Sequence, residues 1–257
     1  MHIWAVANQK GGVGKTTSVV ALAGLLADAG NRVLMMDLDP HGSLTSYFRF
    51  DPDSIEHSAY DLFQVSGKIP VSLPRQLILE TGHPNLSLLP ASTALATLER
   101  HAQAKGGMGL VVSKALAILW EDYDYVLIDS PPVLGVLMIN ALAACQKLII
   151  PVQTEFLAIK GLERMVRTLT MINRARKRPV PYIIVPTLFD RRTQASNKSL
   201  RSLKDTYDEL VWQSVIPIDT KLRDASTAGV APSALDANAR GVKAYESLMN
   251  TLLNPVD

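Results

Sequence analysis

Eight consecutive residues near the N-terminus, Lys10-Gly11-Gly12-Val13-Gly14-Lys15-Thr16-Thr17, are suited to cradling a chain of phosphates. Gly11, Gly12 and Gly14 let successive backbone N–H groups turn inward around an anion, and a helix opening at the end of the loop adds positive potential. Lys15 follows the last glycine and reaches toward the β- and γ-phosphates. Thr16 offers its hydroxyl to Mg²⁺, and Thr17 is placed for the α-phosphate. The whole loop, Val13 included, is the candidate nucleotide cradle. The ordinary pattern has a glycine five residues before Gly14. Gln9 stands there instead, beside an additional lysine, Lys10.

Three carboxylates fit the same chemistry. Asp129 ends an apolar run, where a carboxylate either holds a water of the Mg²⁺ shell or caps the next turn. Asp37 and Asp39 close a second apolar run and reach the same edge. Phosphoryl transfer needs positioning and charge stabilisation more than covalent help.

Positioning these groups requires strands that end side by side. Short apolar runs at 3–7, 32–38, 86–89, 125–128, 147–152 and 182–185 predict strands. Helical spacing predicts helices over 16–29, 94–103, 110–121, 136–144, 157–175, 194–210 and 242–253. Such alternation predicts an α/β fold: a mainly parallel twisted sheet with helices on both faces, its strand C-termini along one edge. At 257 residues the chain is expected to form a single P-loop domain over 1–257, with an irregular, Pro- and Ser-rich insertion at about 51–84.

Composition narrows the class. Apolar residues make up 47% and charged residues 19%, enough for a large core and unlike a disordered chain. One cysteine, Cys145, excludes an internal disulfide framework and a Cys-rich metal cluster within one chain. No signal peptide is visible, and the uncharged stretch 130–146 is short and broken by prolines, so a cytoplasmic location is expected.

The net charge of +2 conceals an asymmetry. Residues 160–204 hold twelve basic side chains against Glu163 and Asp190, so this segment carries +10 and the remainder −8. Either these are solvated helix faces or the segment meets an anionic partner. Lys198, Arg201 and Lys204 drift by roughly 60° per step around the 194–210 helix, giving a broad face that Arg191 and Arg192 precede. No aromatic residues interleave, so duplex phosphates suit this face better than single-stranded bases. Lys221, Arg223, Arg240 and Lys243 are candidates to extend it.

The loop sequence resembles the deviant Walker A motif of the ParA/MinD ATPases. The resemblance continues through Asp37-Leu38-Asp39-Pro40-His41-Gly42, Asp129-Ser130-Pro131-Pro132, the segment 186–193, the segment 216–225 and Arg240-Gly241. It implies ATP and Mg²⁺ as cofactors and slow hydrolysis stimulated by a partner. It also implies that Lys10 reaches across an ATP-bound homodimer to the partner's phosphates. Asp39 would orient the attacking water and support the metal, with Asp37 in a supporting or structural role. His41 stands where the family usually has Gln; it is either a hydrogen-bonding substitute or a plain surface residue. Phe189, Asp190, Pro217 and Asp219 would flank the adenine, although Phe189 equally suits the core.

The resemblance further implies binding of nonspecific double-stranded DNA, hence association with the nucleoid, and a cargo-adaptor protein. Two kinds of cargo are open: plasmid or chromosome partition, and the positioning of an assembly such as a chemotaxis array. A MinD-like membrane-bound ATPase is the alternative. It is disfavoured because the 242–253 stripe carries only Lys243 as a cation beside Glu246, which suits docking on the body more than a lipid surface.

Overall fold

The computed structural model describes residues 1–101, 108–174, 176 and 178–254. Gln103, Ala175 and Lys177, which fall within expected helices or the basic segment, lie outside the described residues. Seven strands form one sheet: β1 (His2–Val6), β2 (Val33–Asp37), β3 (Leu79–Glu80), β4 (Leu86–Leu89), β5 (Tyr125–Asp129), β6 (Lys147–Gln153) and β7 (Tyr182–Thr187). Their spatial order is β3-β4-β2-β5-β1-β6-β7. All neighbours run parallel except the short edge strand β3.

Twelve α-helices and two 3₁₀ turns (Met108–Leu110 and Asp208–Leu210) complete the elements of the described residues: α1 (Lys15–Asp28), α2 (Ser43–Tyr47), α3 (Ala59–Gln64), α4 (Leu73–Gln76), α5 (Leu95–His101), α6 (Val111–Ile118), α7 (Val136–Ala144), α8 (Phe156–Arg174), α9 (Gln194–Tyr207), α10 (Thr220–Ala228), α11 (Pro232–Leu235) and α12 (Arg240–Leu253).

Because both faces of a parallel sheet are covered, its strands are apolar at every position, and the pleat divides them between two cores. Ile3, Ala5, Leu34, Met36, Val126, Ile128, Leu148 and Ile150 point to one face, where α3 and α5 to α8 pack. Trp4, Val6, Val33, Met35, Leu127 and Ile149 point to the other, against α1 and α12. A buried hydrogen bond of 2.9 Å between the Ser18 and Tyr245 hydroxyls ties these last two helices together. The apolar stripe of α12 (Val242, Tyr245, Leu248, Met249, Leu252) is buried there.

The six expected strands are all present. The seventh, β3, lies in the stretch read as irregular, together with α3 and α4; two residues give no readable alternation. Leu62, Phe63, Ile69 and Leu77 from that stretch are buried in the first core. The helix expected over 194–210 stops at Tyr207, because Asp208 takes a left-handed φ of 40° and a 3₁₀ turn follows.

Candidate functional site

Six adjacent parallel strands deliver their C-terminal ends to one edge, the usual crevice position in open parallel sheets. Register sets two carboxylates side by side: Asp129 pairs with Val6 on one side and Asp37 on the other. The loop after β1 then turns into α1. Gly12 and Gly14 adopt φ of 74° and 89°, a region that side chains bearing a Cβ rarely enter, so these positions require glycine. Thr187, at the end of β7, donates its hydroxyl to the Val13 carbonyl at 2.8 Å and fastens the loop from outside.

Lys15 is 8% exposed, and its Nζ donates to the Lys10 carbonyl at 3.3 Å. Burial lowers its pKa, while Asp129 and Asp39 hold the charge in place. Thr16 donates its hydroxyl to Asp129 Oδ2 at 2.6 Å. Asp129 Oδ1 is buried with no hydrogen-bond partner. Burial, reinforced by Asp37, pushes the Asp129 carboxyl upward from the ordinary range, against the pull of Thr16 and Lys15.

The two aspartates after β2 differ in kind. Asp37 is fully buried; Oδ1 accepts the Asp39 N–H at 3.0 Å, and Oδ2 accepts the Thr45 N–H at 2.9 Å and hydroxyl at 2.8 Å. The Thr45 hydroxyl in turn accepts the Ala91 N–H at 2.8 Å. Asp37 is therefore a joint between β2, α2 and the end of β4, with no acceptor left idle. Asp39 Oδ1 accepts the His41 N–H at 3.0 Å and contacts His41 Nδ1 at 2.9 Å. Its Oδ2 has no partner among the described residues, so this carboxylate retains capacity for water.

No group of three or more His, Cys, Asp or Glu side chains suitable for a metal occurs among the described residues. Mg²⁺ keeps several waters and takes one or two protein oxygens plus phosphate oxygens. The Thr16 hydroxyl and the orphaned, buried oxygen of Asp129 fit it.

A cleft of about 190 Å³ opens beside the loop, lined in part by Gly14, Thr17, Leu188, Pro217, Ile218 and Asp219. Phe189 and Asp190 do not line it. Phe189 is half-buried outside both cores and bridges to Pro217, with its N–H on the Ile216 carbonyl at 3.1 Å. Asp190 accepts two bonds from the Arg192 guanidinium, at 2.9 and 2.8 Å, which together with the Arg192 N–H hold its carboxyl at about 2. Asp219 caps α10 through the Lys221 N–H at 3.0 Å and accepts the Gly241 N–H at 2.8 Å, so it lines the cleft as a fixed structural group.

The basic residues separate into engaged and free. Arg191, Lys198, Arg201, Arg223 and Arg240 are exposed without a charged partner among the described residues. Arg192 is held by Asp190, Lys243 by Glu246 at 3.0 Å and Lys221 loosely by Asp224 at 3.9 Å. Lys204 donates to the Gln213 carbonyl at 3.2 Å. Arg176 is half-buried and turned onto the body: it donates to the carbonyls of Leu142, Ala143 and Cys145 and closes the end of α7.

Sequence reasoning passed over Asn8, Thr45 and Glu155. Asn8 Nδ2 donates to the Pro151 carbonyl at 2.8 Å, and its Oδ1 accepts the Lys10 N–H at 3.1 Å. Glu155 forms an ion pair with Lys10. The one available signal for Glu155 was an acid two residues after a strand end, at the start of a helical pattern.

A phosphate loop between β1 and α1, with a buried lysine, a threonine hydroxyl and aligned aspartates at the strand ends, defines a P-loop ATPase that uses ATP and Mg²⁺. Residues 1–180 match the family described as AAA domain. The chain is 33% identical to sporulation initiation inhibitor protein Soj of Bacillus subtilis, over 96% of each chain. It is 31% identical to chromosome partitioning protein ParA of Caulobacter vibrioides, over 99% of this chain and 94% of that one. A crystal structure of cobyrinic acid a,c-diamide synthase from Mycobacterium smegmatis, with ATP analogue and magnesium, superposes with a TM-score of 0.84 at 34% identity, covering 98% of this chain and 94% of that one. The chain belongs to the ParA-type ATPase family.

Proposed function

We propose that this chain is an ATP-dependent dimerising switch that binds duplex DNA without sequence preference and hydrolyses ATP to segregate or position a cargo. One observation carries the reading. The chain has two lysines at the phosphate loop, and only Lys15 sits inside its own loop; Lys10 points its amine along the surface, to Glu155. A loop that already has its resident cation leaves Lys10 for a second copy. Val133, Leu134, Phe156 and Leu157, from the segments that follow β5 and β6, expose apolar surface at the same edge and favour self-association.

Within one subunit, loop N–H groups and Lys15 hold the phosphates, and Thr17 and the cleft receive the rest of the nucleotide. Thr16 and Asp129 would hold Mg²⁺, which would supply charge neutralisation for the phosphates when bound. Asp39 orients the attacking water with the oxygen that His41 does not use. Lys10 from the second copy completes the charge stabilisation, so hydrolysis is tied to pairing and slow until an adaptor protein tightens the site.

The exposed cations Arg191, Lys198, Arg201, Arg223 and Arg240, with Arg192, Lys204, Lys221 and Lys243 beside them, meet DNA phosphates. Partition of a chromosome or plasmid is the cargo favoured by the named relatives, ParA above all; a protein assembly such as a chemotaxis array is the alternative. The protein would then reside on the nucleoid in the cytoplasm. A MinD-like membrane role is disfavoured, because the apolar stripe of α12 is buried against α1.

The test is light scattering with a slowly hydrolysed ATP analogue and Mg²⁺, paired with co-sedimentation on random duplex DNA. Wild type should double in mass with the analogue and stay single with ADP, and only the former should bind DNA. Lys10→Ala should still bind nucleotide but fail to pair. A Lys10→Ala protein that pairs as wild type does would overturn the reading.

A further inference from the structure

We infer that Glu155 is a positioning residue for Lys10: it holds the amine within its own subunit and thereby sets how much ATP-bound protein is needed before two copies close. This rests on the dimer reading above and adds to it the group that opposes dimerisation.

Three elements build the arrangement. The Lys10 backbone is clamped by Asn8, which is itself bonded to Pro151 in β6. Glu155 follows the end of β6 by two residues and leads into α8. Six residues further along, in α8, Gly161 lets the Lys10 stem lie against the helix, since a Cβ there would come within 3.2 Å of Lys10 Cβ. The amine is thus directed onto the Glu155 carboxylate, and their ion pair closes the path. Both side chains remain partly in water, 26% exposed for Lys10 and 42% for Glu155.

That exposure determines what the pair can do. A half-exposed pair is weak, so it biases the position of Lys10 without locking it. One amine cannot neutralise Glu155 in its own subunit and a phosphate in the other at the same time. Closing a dimer therefore breaks two such pairs, and the bias enters the dimer constant twice. A resting molecule holds Lys10 aside; triphosphate in a facing subunit outbids a single carboxylate, whereas the smaller charge of a diphosphate does so less.

The experiment compares wild type with Glu155→Gln, and with Glu155→Asp as a second variant that retains the charge one methylene short. Sedimentation velocity across protein concentration, with saturating ATP analogue and Mg²⁺, gives the dimer dissociation constant. Glu155→Gln should tighten the dimer by roughly 2- to 30-fold, with Glu155→Asp between it and wild type. Added salt should shrink the gap, because it screens the pair in wild type. Affinity for a fluorescent ADP and the thermal midpoint serve as controls for the fold and the cradle. An unchanged or weaker Glu155→Gln dimer, with those controls intact, overturns the inference. A wild type that stays single with the analogue overturns the dimer reading first, which separates the two failures.

Discussion

The strand-end edge and the basic face of α9 and α10 both gather charge, but they hold it differently. At the edge, Lys15, Asp37 and Asp129 are buried and each has a specified partner: the Lys10 carbonyl for Lys15, Thr45 for Asp37, and for Asp129 the hydroxyl of Thr16, 113 residues away in the chain. On the basic face, Arg191, Lys198 and Arg201 stand in solvent on one segment, each replaceable by its neighbour. A buried charge must have a specified partner, because desolvation penalises any other arrangement. An exposed charge acts through its number and screening length. The edge should therefore respond to single substitutions in a residue-specific way, and the face in proportion to the charges removed.

The largest effect should come from the edge. Lys15→Ala should lower phosphate release by about 100-fold or more, since it removes the cation nearest the developing charge. Single-turnover assays at saturating ATP check this. If the loss is only a few-fold, the burial of Lys15 has no catalytic meaning.

The two aspartates after β2 sharpen the contrast within the edge. Asp37→Ala strips the acceptor from three buried donors and should cost about 2–4 kcal/mol in urea unfolding. Asp39→Ala should change stability by about 1 kcal/mol or less, yet lower hydrolysis by about 100-fold. Equal stability losses would show that the hydrogen-bond census misassigns their roles.

On the basic face, Arg191→Ala, Lys198→Ala and Arg201→Ala combined should reduce the salt slope of duplex binding by about 3. Basal hydrolysis should stay within about twofold. A slope that does not move would place the DNA contact elsewhere on the molecule.

The smallest effect belongs to an exposed pair at the opposite end of the sheet. Hydrogen bonds from Arg32 hold the Asp124 carboxyl at about 2, below its ordinary value. The resulting stabilisation is present above the ordinary carboxylate pKa and is lost as pH falls through about 2. An NMR carboxyl titration should show Asp124 rising toward about 3.9 in Arg32→Ala, with little change in the thermal midpoint at neutral pH.

The phosphate loop was legible because its demands are local: glycine where φ is positive, lysine and threonine at fixed steps after it. Six strands were legible because a doubly covered parallel strand must be apolar throughout. Roles set by distant partners were not. Asp190, Asp219 and Arg176 read as candidate ligand contacts or free surface charge, and each proved to be occupied by the fold: Asp190 by Arg192, Asp219 by two backbone N–H groups, Arg176 by the end of α7. The cleft wall passes through Thr187 and Leu188 of one late segment and Pro217 to Asp219 of the other.

Chain order alone thus determined the cradle, the sheet that carries it and the sign of the charged segment, since each depends on residue type within one or two turns of backbone. Which oxygen is spent and which is free was decided only in three dimensions. Asp37 and Asp39 are two residues apart and chemically identical. What separates them is Thr45, reaching one from α2, and the solvent-facing turn at His41, leaving the other half-satisfied.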